Sequence, residues 1–188
     1  MLIIIAVLAA LVILALLAVL PFRSTVKSLV TARIGIDRSF SDLDALLKQR
    51  DGELPKLIAT CKGYMSSGEN AIQAVTEARS AWTRAATPGD KAQADAMLSV
   101  ALNSLFASTE KYPDLKANAN FIQLKQRITA LETQIAAQRA AYNKSVSDYN
   151  TRIQQLPANL VARWKRLQPA AAFQVTEAAR EGAKVSFT

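Results

Sequence analysis

Histidine is absent from this chain of 188 residues, and cysteine occurs once. The missing imidazole removes the commonest general base, the nucleophile pairs that depend on it and most zinc sites. Cys61 has no partner for an intrachain disulfide, so it does not indicate a redox compartment, and we interpret it as an ordinary small helix residue. Six glycines, six prolines and few aromatic residues, set against many alanines, favour long helices over sheet.

The charge distribution also limits the classes of function. The net charge is +8, but acidic and basic residues are interleaved and no run of like charges stands out. We therefore expect an anionic membrane surface, and not nucleic acid, to be the partner of the excess basic charge. No glycine-rich phosphate loop and no plausible acid/base carboxylate pair are present, so we expect no enzyme activity, no cofactor, no metal and no small-molecule substrate.

Residues 2–20 are apolar throughout and carry no charge. As a helix at about 1.5 Å per residue they would span about 28 Å, close to the hydrocarbon core of a bilayer. A cleaved signal peptide is the alternative, but the basic residues that would precede its apolar core and a convincing cleavage site are missing. We expect residues 1–21 to be a retained transmembrane anchor. Its spanning residues are represented by Leu2, Ile5, Leu8, Leu11, Leu14, Leu17 and Leu20.

Basic residues follow this run at once. Arg23, Lys27 and Arg33 lie just after it, and no lysine or arginine precedes it. Because positive flanks stay in the cytoplasm, we expect the N-terminus outside and the remainder inside. The predicted location is therefore the bacterial inner membrane, with a single pass.

The remaining residues show helical periodicity. An apolar stripe begins at Leu29, and Arg38, Asp42, Asp44, Lys48 and Arg50 occupy the other faces. We expect residues 51–55 to interrupt this helix, which then resumes or continues with a kink. On a later helix, which we expect over about residues 91–111, the residues expected to face inward are Met97, Val100, Ala101, Leu105 and Phe106.

Residues 121–156 carry the clearest pattern, with a period close to the heptad repeat of coiled coils. One position between Ile135 and Tyr142 is polar, and Pro157 ends the pattern. We predict an all-α fold: a transmembrane helix, then an elongated antiparallel bundle of about four helices over residues 22–168, with coiled-coil-like long helices. Residues 169–188 form a tail, and its last stretch, Phe173–Thr188, is expected to be laid on the bundle or paired with a neighbouring chain. The expected seam residues are Phe121, Leu124, Ile128, Leu131, Ile135, Tyr142, Val146, Tyr149, Ile153 and Leu156.

A short basic segment follows Pro157. Trp164 lies there among Arg163, Lys165 and Arg166. An exposed tryptophan among cations suits a lipid headgroup or an acidic partner. Alternatively, Trp164 packs on the bundle and the cations are solvated.

Several motifs together resemble the LemA family. Residues 110–162, EKYPDLKANANFIQLKQRITALETQIAAQRAAYNKSVSDYNTRIQQLPANLVA, contain the YPDLKAN-x-NF core, two Tyr-Asn pairs and an FP-like ending. The earlier LLKQRDGELPKLIATCKGY and the closing KVSF also match. The resemblance implies a helical bundle behind an N-terminal membrane helix, often N-out and C-in, and supplies no catalytic activity.

The chain departs from the family pattern at three places. Thr25-Val26 stands where the family usually has Tyr-Asn, Gly68-Glu69 replaces His-Glu, and an Asn is missing near Lys56. Any role that depends on those polar groups is not expected here.

The motif residues have a structural and a functional interpretation. Tyr142-Asn143 and Tyr149-Asn150 are seven residues apart and share a face. They would either read a peptide or fix the register of neighbouring chains, or else fill the seam while each Asn bonds a nearby backbone. The other motif residues are expected to shape interhelix corners, with Gly63 allowing a close approach or an unusual φ, and Asn118 or Asn120 capping a helix. These motif positions are Lys62, Gly63, Tyr64, Tyr112, Pro113, Asn120, Phe121 and Pro157.

Three hypotheses follow for function. The first is a non-enzymatic membrane scaffold whose copies associate as a homo-oligomer. The second is a membrane-tethered adaptor that recruits a specific protein. The third places the same scaffold on the periplasmic side of the membrane.

Overall fold

The computed structural model describes residues 1–65 and 69–174, without the side chains of residues 2, 3, 5–21 and 69. Every regular element in this part of the chain is a helix, as the sequence predicts. The helices are α1 (Leu2–Lys62), α2 (Glu69–Arg84), α3 (Pro88–Thr109), α4 (Pro113–Ala117), α5 (Ala119–Gln154) and α6 (Ala158–Trp164).

Helix α1 runs without a break through Pro21 and Pro55. The interruption expected at residues 51–55 is therefore wrong, and the alternative of a continuing helix holds. A proline inside a helix costs about 3 kcal/mol. Leu54 and Leu57 on either side of Pro55 are fully buried, and their burial offsets that cost because each buried leucine contributes about 2 kcal/mol.

The chain forms two compact units that share α1 and α5. The first unit comprises Met1–Arg38 and Lys144–Ala170, and the second comprises Ser39–Asn143 and the segment that begins at Ala171. In the first unit α1 and α5 are antiparallel: Arg152 Nη1 donates to Ser28 Oγ at 2.9 Å, and the Arg33 guanidinium lies 6.0 Å from the Tyr149 ring centre.

The second unit pairs the same helices farther along, again antiparallel. Gln138 Nε2 donates to the Ser39 carbonyl at 3.3 Å, and Arg127 Nη1 lies 3.8 Å from Glu53 Oε1. Helices α2 and α3 pack against each other. The buried apolar core of this unit draws on α1 to α5 and is Leu54, Leu57, Cys61, Met65, Ile72, Val75, Ala78, Leu98, Ala101, Leu102, Leu105, Leu115, Phe121, Leu124 and Ile128.

Helix α3 begins with a capping box. Thr87 Oγ1 accepts from the Asp90 amide, and the Asp90 carboxylate accepts from the Thr87 amide and hydroxyl. These bonds satisfy amides that the first turn of a helix leaves unpaired. The bonds between Thr87 and the Asp90 carboxylate lower the pKa of that carboxyl.

The inward face of α3 differs from the expected one. Ala101 and Leu105 are buried and Phe106 packs on the core, as predicted, but Met97 is 46% exposed and Val100 is 70% exposed. Leu98 and Leu102 lie inside instead. The actual face includes the fully buried Asp95, whose charge made this face look polar in the sequence.

Candidate functional site

Tyr149 and Asn150 hold the chain segment that follows α6, within the first unit. The Tyr149 side chain is buried, and its hydroxyl donates to the Gln168 carbonyl at 3.3 Å. Asn150 Nδ2 donates to the Ala170 carbonyl, and Asn150 Oδ1 accepts from the Ala170 amide, both at 2.9 Å. The Asn150 amide thus satisfies both main-chain groups of one residue, as a neighbouring strand would in a sheet.

Tyr142 and Asn143 repeat this arrangement within the second unit. The Tyr142 hydroxyl donates to the Ala171 carbonyl at 2.8 Å. Asn143 Oδ1 accepts from the Phe173 amide at 2.8 Å, and Asn143 Nδ2 donates to the Phe173 carbonyl at 3.3 Å. The Phe173 ring is buried and meets the Tyr142 ring edge-on, with centroids 6.4 Å apart. We call these two Tyr-Asn pairs the backbone clamps.

The contacts of the backbone clamps agree with the structural interpretation of the Tyr-Asn motif. Both tyrosines fill the apolar seam of α5, and both asparagines bond to backbone, as the structural interpretation expects. The backbone that they bond belongs to the chain's own segment 168–173. Of the stretch Phe173–Thr188, which the sequence predicts to lie on the bundle or to pair with a neighbouring chain, Phe173 contacts α5. Residues 175–188, which include the KVSF motif, are outside the described residues.

A second group of motif residues meets at the start of α5. Asn118 Oδ1 accepts from the Phe121 amide at 3.0 Å and so caps the helix. The other end of the same amide, Nδ2, donates to the Tyr64 hydroxyl at 3.0 Å. Asn118 is therefore the cap, whereas Asn120 is exposed. The capping asparagine links the end of α1 to the start of α5.

The remaining motif positions mark helix boundaries. Lys62 is the last residue of α1, Pro113 is the first of α4, and Pro157 separates α5 from α6. The Tyr112 carbonyl accepts from the Lys116 amide at 3.1 Å in the first turn of α4. The interpretation of Gly63 is wrong: its φ is not positive, and an added Cβ would make only an ordinary contact with the Thr60 carbonyl at 3.5 Å.

A buried charge cluster joins α1, α3 and α5 in the second unit. Arg50 is 1% exposed, so its expected position on a solvent face is wrong. Its guanidinium donates to Asp95 Oδ1 at 2.6 Å, to Ser99 Oγ at 3.4 Å and to Glu132. Arg139 forms an ion pair with Asp95 Oδ2, without hydrogen-bond geometry. Two cations and two anions therefore neutralise one another inside the unit.

The charges of this cluster compensate one another, which fits a structural role. Burial raises the pKa of the Asp95 carboxyl, and the charges of Arg50 and Arg139 oppose that shift. The Nε atoms of both arginines are buried without a hydrogen-bond partner. The only sequence signal for the cluster is the polar interval between Ile135 and Tyr142, where Arg139 lies.

Comparison with known proteins identifies the family. The LemA family model matches residues 39–187. Protein LemA of Metamycoplasma hominis is 30% identical over 150 residues, which cover 77% of this chain and 67% of that protein. This chain belongs to the LemA family. The matched range contains both backbone clamps, the Asn118 corner and the buried charge cluster.

An aromatic and basic patch lies in the first unit of this LemA family chain. The Phe22 and Trp164 rings are 5.9 Å apart, and the Lys165 ammonium lies 4.4 Å from the Trp164 ring centre. Trp164 is 66% exposed and Phe22 is 41% exposed. Packing on α1 thus covers only part of Trp164. We call Phe22, Trp164 and the exposed basic residues beside them in sequence the aromatic patch; these residues are Arg23, Lys27, Arg163, Lys165 and Arg166.

The predicted anchor is left untested. The side chains of Leu2, Ile5 and the other spanning residues lie outside the described part of the chain. Among the residues that are described, no helix combines the length and the hydropathy required to cross a bilayer. The topology-setting Arg23, Lys27 and Arg33 are all exposed, and Arg33 also pairs with Asp37 at 3.9 Å.

Cys61 is part of the core of the second unit. It is fully buried, and burial raises the pKa of its thiol to about 11. The thiol therefore stays protonated at neutral pH, which fits its interpretation as an ordinary helix residue. Within residues 1–65 and 69–174, no cluster of three or more acidic or cysteine side chains is arranged to hold a metal ion.

Proposed function

We propose that this LemA family chain is a non-enzymatic scaffold that is anchored in the bacterial inner membrane and associates with further copies of itself. The observation that carries the proposal is the aromatic patch. Tryptophan and phenylalanine beside lysine and arginine are typical of the zone where a membrane helix meets water. Phe22 follows the apolar run 2–20 almost directly, and the Trp164 ring contacts the Phe22 ring.

The charges of the aromatic patch support the same location. Arg23, Lys27, Arg163, Lys165 and Arg166 are all exposed. Each basic residue near an anionic lipid surface contributes about 1 kcal/mol to membrane attraction. The attraction of the patch to anionic lipid therefore favours a position of the first unit against the headgroups, where the anchor enters the bilayer.

Exposed apolar side chains in the first unit support self-association. Val30 and Ile34 are one turn apart on α1 and are 53% and 61% exposed. Leu156 and Leu160 are 75% and 59% exposed. Copies confined to one membrane can cover such residues by lateral contact, because apolar surface that stays in water is unfavourable.

The chemistry of the buried reactive groups favours a scaffold over an enzyme. Asp95 lies between two guanidinium groups, and the pKa of Cys61 is raised to about 11. A general base or a nucleophile needs a pKa near the working pH and access to a substrate. Both groups are instead held in the core as structural parts.

The mass of the complex after extraction in a mild detergent tests this proposal. We expect a uniform particle of many copies by light scattering. A double variant Val30→Ser, Ile34→Ser should shift the particle to smaller masses, whereas the control Val100→Ser on α3 should not. A strictly monomeric particle that binds nothing would refute the scaffold, and stoichiometric recovery of one foreign protein would identify an adaptor.

Topology is tested separately. We propose the N-terminus outside and the helical units in the cytoplasm, because Arg23, Lys27 and Arg33 directly follow the apolar run. A tag placed at the C-terminus should then be protected from protease in intact cells and be cleaved in inverted vesicles. Cleavage in spheroplasts would place the scaffold on the periplasmic side.

A further inference from the structure

The backbone clamps bind their segment almost without reference to its side chains. Asn150 and Asn143 form hydrogen bonds with the amide and carbonyl of Ala170 and of Phe173, and the tyrosine hydroxyls donate to carbonyls of the segment. The one side chain of the segment with a specific contact is Phe173, whose buried ring meets Tyr142. An extended chain with small residues and an aromatic residue at this point meets the requirements of both clamps.

The connection between α6 and the clamped segment is short and strained. Helix α6 ends at Trp164, and the first clamped carbonyl belongs to Gln168. Between them Arg166 has a φ of 52°, the only positive φ of a non-glycine residue in the described chain. Left-handed backbone is unfavourable for a residue with a Cβ, so the hinge 165–167 is held in a conformation that opening would relieve.

We propose that the backbone clamps also accept segment 168–173 of a second copy, so that neighbouring copies exchange tails. This inference rests on the proposed self-association. An exchanged tail makes the same hydrogen bonds and the same Phe173 contact as in one chain, so exchange loses no contact. Release of Arg166 from its left-handed conformation then favours the exchanged form, as short strained hinges do in domain swapping.

Membrane confinement supplies the concentration that exchange needs. Within one chain the tail is close to its clamps, which gives the closed form a high effective concentration. Anchored copies held side by side raise the concentration of neighbouring tails in the same way. The occupant that fits is a second copy, because it carries the Ala170 to Phe173 sequence that the clamps already hold.

A cross-linking experiment on the full chain tests the exchange. The photo-reactive residue benzoylphenylalanine replaces the exposed Gln174, beside Phe173, in a chain with one tag. This chain is reconstituted with a differently tagged chain without the cross-linker, in phosphatidylethanolamine–phosphatidylglycerol vesicles. After irradiation we expect a product that carries both tags, with the cross-link in α5 of the second chain near residues 139–146. The control cross-linker at the exposed Gln126 on α5 should not give a product in segment 168–173.

Two sets of variants show whether a mixed product comes from the clamps. Asn143→Ala with Asn150→Ala in the receiving chain should reduce the product at least about fivefold, since each asparagine loses two hydrogen bonds. Ala170→Pro in the donating chain removes the amide that Asn150 accepts from and leaves all helices unchanged. It should reduce the product similarly, so the test does not depend on folding of the asparagine variant.

The hinge is tested by Arg166→Gly. Glycine adopts a positive φ at little cost, so the variant should favour the closed form and lower the mixed product about tenfold, which corresponds to about 1.4 kcal/mol. Arg166→Lys keeps the strain and should leave the yield unchanged. An unchanged yield in Arg166→Gly, a yield that does not depend on both asparagines, or cross-links only within one chain would each overturn the exchange.

Light scattering on the same proteins after extraction from the vesicles in a mild detergent separates this inference from the scaffold proposal. A multimer that contains only intramolecular tail cross-links would overturn tail exchange and leave the scaffold standing. A monomeric particle would overturn the scaffold and the exchange together.

Discussion

Replacing Arg50 with methionine should destabilise the second unit severely. Arg50 is 1% exposed, and Asp95, its partner at 2.6 Å, is 0% exposed. In Arg50→Met the Asp95 carboxylate keeps only Arg139, while Ser99 and Glu132 lose their contact with the guanidinium. Removing one partner of a buried ion pair costs about 3–5 kcal/mol. That is a large part of the roughly 5–15 kcal/mol by which a domain is stable.

A double variant separates the loss of the ion pair from the loss of packing. In Arg50→Met, Asp95→Leu the charge buried most deeply is gone together with its partner. Glu132 and Arg139 remain, and their side chains are each 30% exposed, so water reaches them. We expect the double variant to recover about 2 kcal/mol relative to Arg50→Met, because apolar replacements of a buried pair are often close to neutral.

Urea unfolding of the full chain in a mild detergent measures both effects. In a Trp164→Phe background, Trp82 is the remaining tryptophan of the two in the chain, and its 7% exposure makes its fluorescence a reporter of the second unit. The matched control is Arg127→Met, since Arg127 is 62% exposed and 3.8 Å from Glu53. This control should stay within about 0.5 kcal/mol of the parent. An Arg50→Met variant as stable as the control, or a double variant less stable than Arg50→Met, would refute the reasoning.

Three further predictions concern the second unit. The rate at which Cys61 is alkylated in the folded chain, measured by mass spectrometry, should increase up to about pH 11, because the pKa of its thiol is raised above the ordinary 9.0. The stability that the neutral thiol contributes is complete below about pH 9 and is lost as pH rises through about 11. Asn118→Ala removes the cap at the Phe121 amide and should cost about 1–2 kcal/mol in urea unfolding, whereas a stable variant would mean that the cap is dispensable. Ala101→Asp places an unpaired carboxylate at a buried site and should cost more than about 3 kcal/mol, while Val100→Asp beside it should stay within about 0.5 kcal/mol; equal effects would contradict the observed face of α3.

The seam of α5 shows what periodicity can predict. The positions expected inside, from Phe121 to Ile153, are all buried. This succeeds because a helix that packs along one side must repeat its apolar residues at helical spacing. Leu156 is 75% exposed, because it lies beyond the last residue of α5, Gln154. The pattern was extended past the point where the helix that produces it ends.

The buried charge cluster shows what periodicity cannot predict. A pattern of apolar residues assigns charged residues to solvent, so it places Arg50 outside and gives no reason to place Asp95 inside. Their burial depends on partners 45 and 82 residues apart along the chain, and a local pattern carries no information about such distances. The polar interval in the α5 seam indicated that something other than apolar packing occurs there, but not with which residues.

The attachment of segment 168–173 to α5 was difficult to predict for a different reason. The sequence left open whether the Tyr-Asn pairs bond backbone of their own chain or read a peptide, and in the structure they bond their own chain. The partners of Asn143 and Asn150 lie 30 and 20 residues later in a segment without helical periodicity. Because the contacts are made to main-chain atoms, the side chains of that segment give little indication of these contacts in the sequence.

The charge cluster and the backbone clamps specify position along α5 in complementary ways. Apolar heptads alone allow a helix to shift along its partners by whole repeats at modest cost, because each repeat offers a similar surface. In the second unit a shift of α5 would separate Arg139 and Glu132 from Asp95 and Arg50 and leave charges buried without partners. A clamp, by contrast, bonds to amides and carbonyls, which every residue of an extended segment offers, so it tolerates many sequences but requires the segment to be extended. Fixed register is therefore the role that the ion pairs fit, and exchangeable attachment is the role that the Tyr-Asn pairs fit.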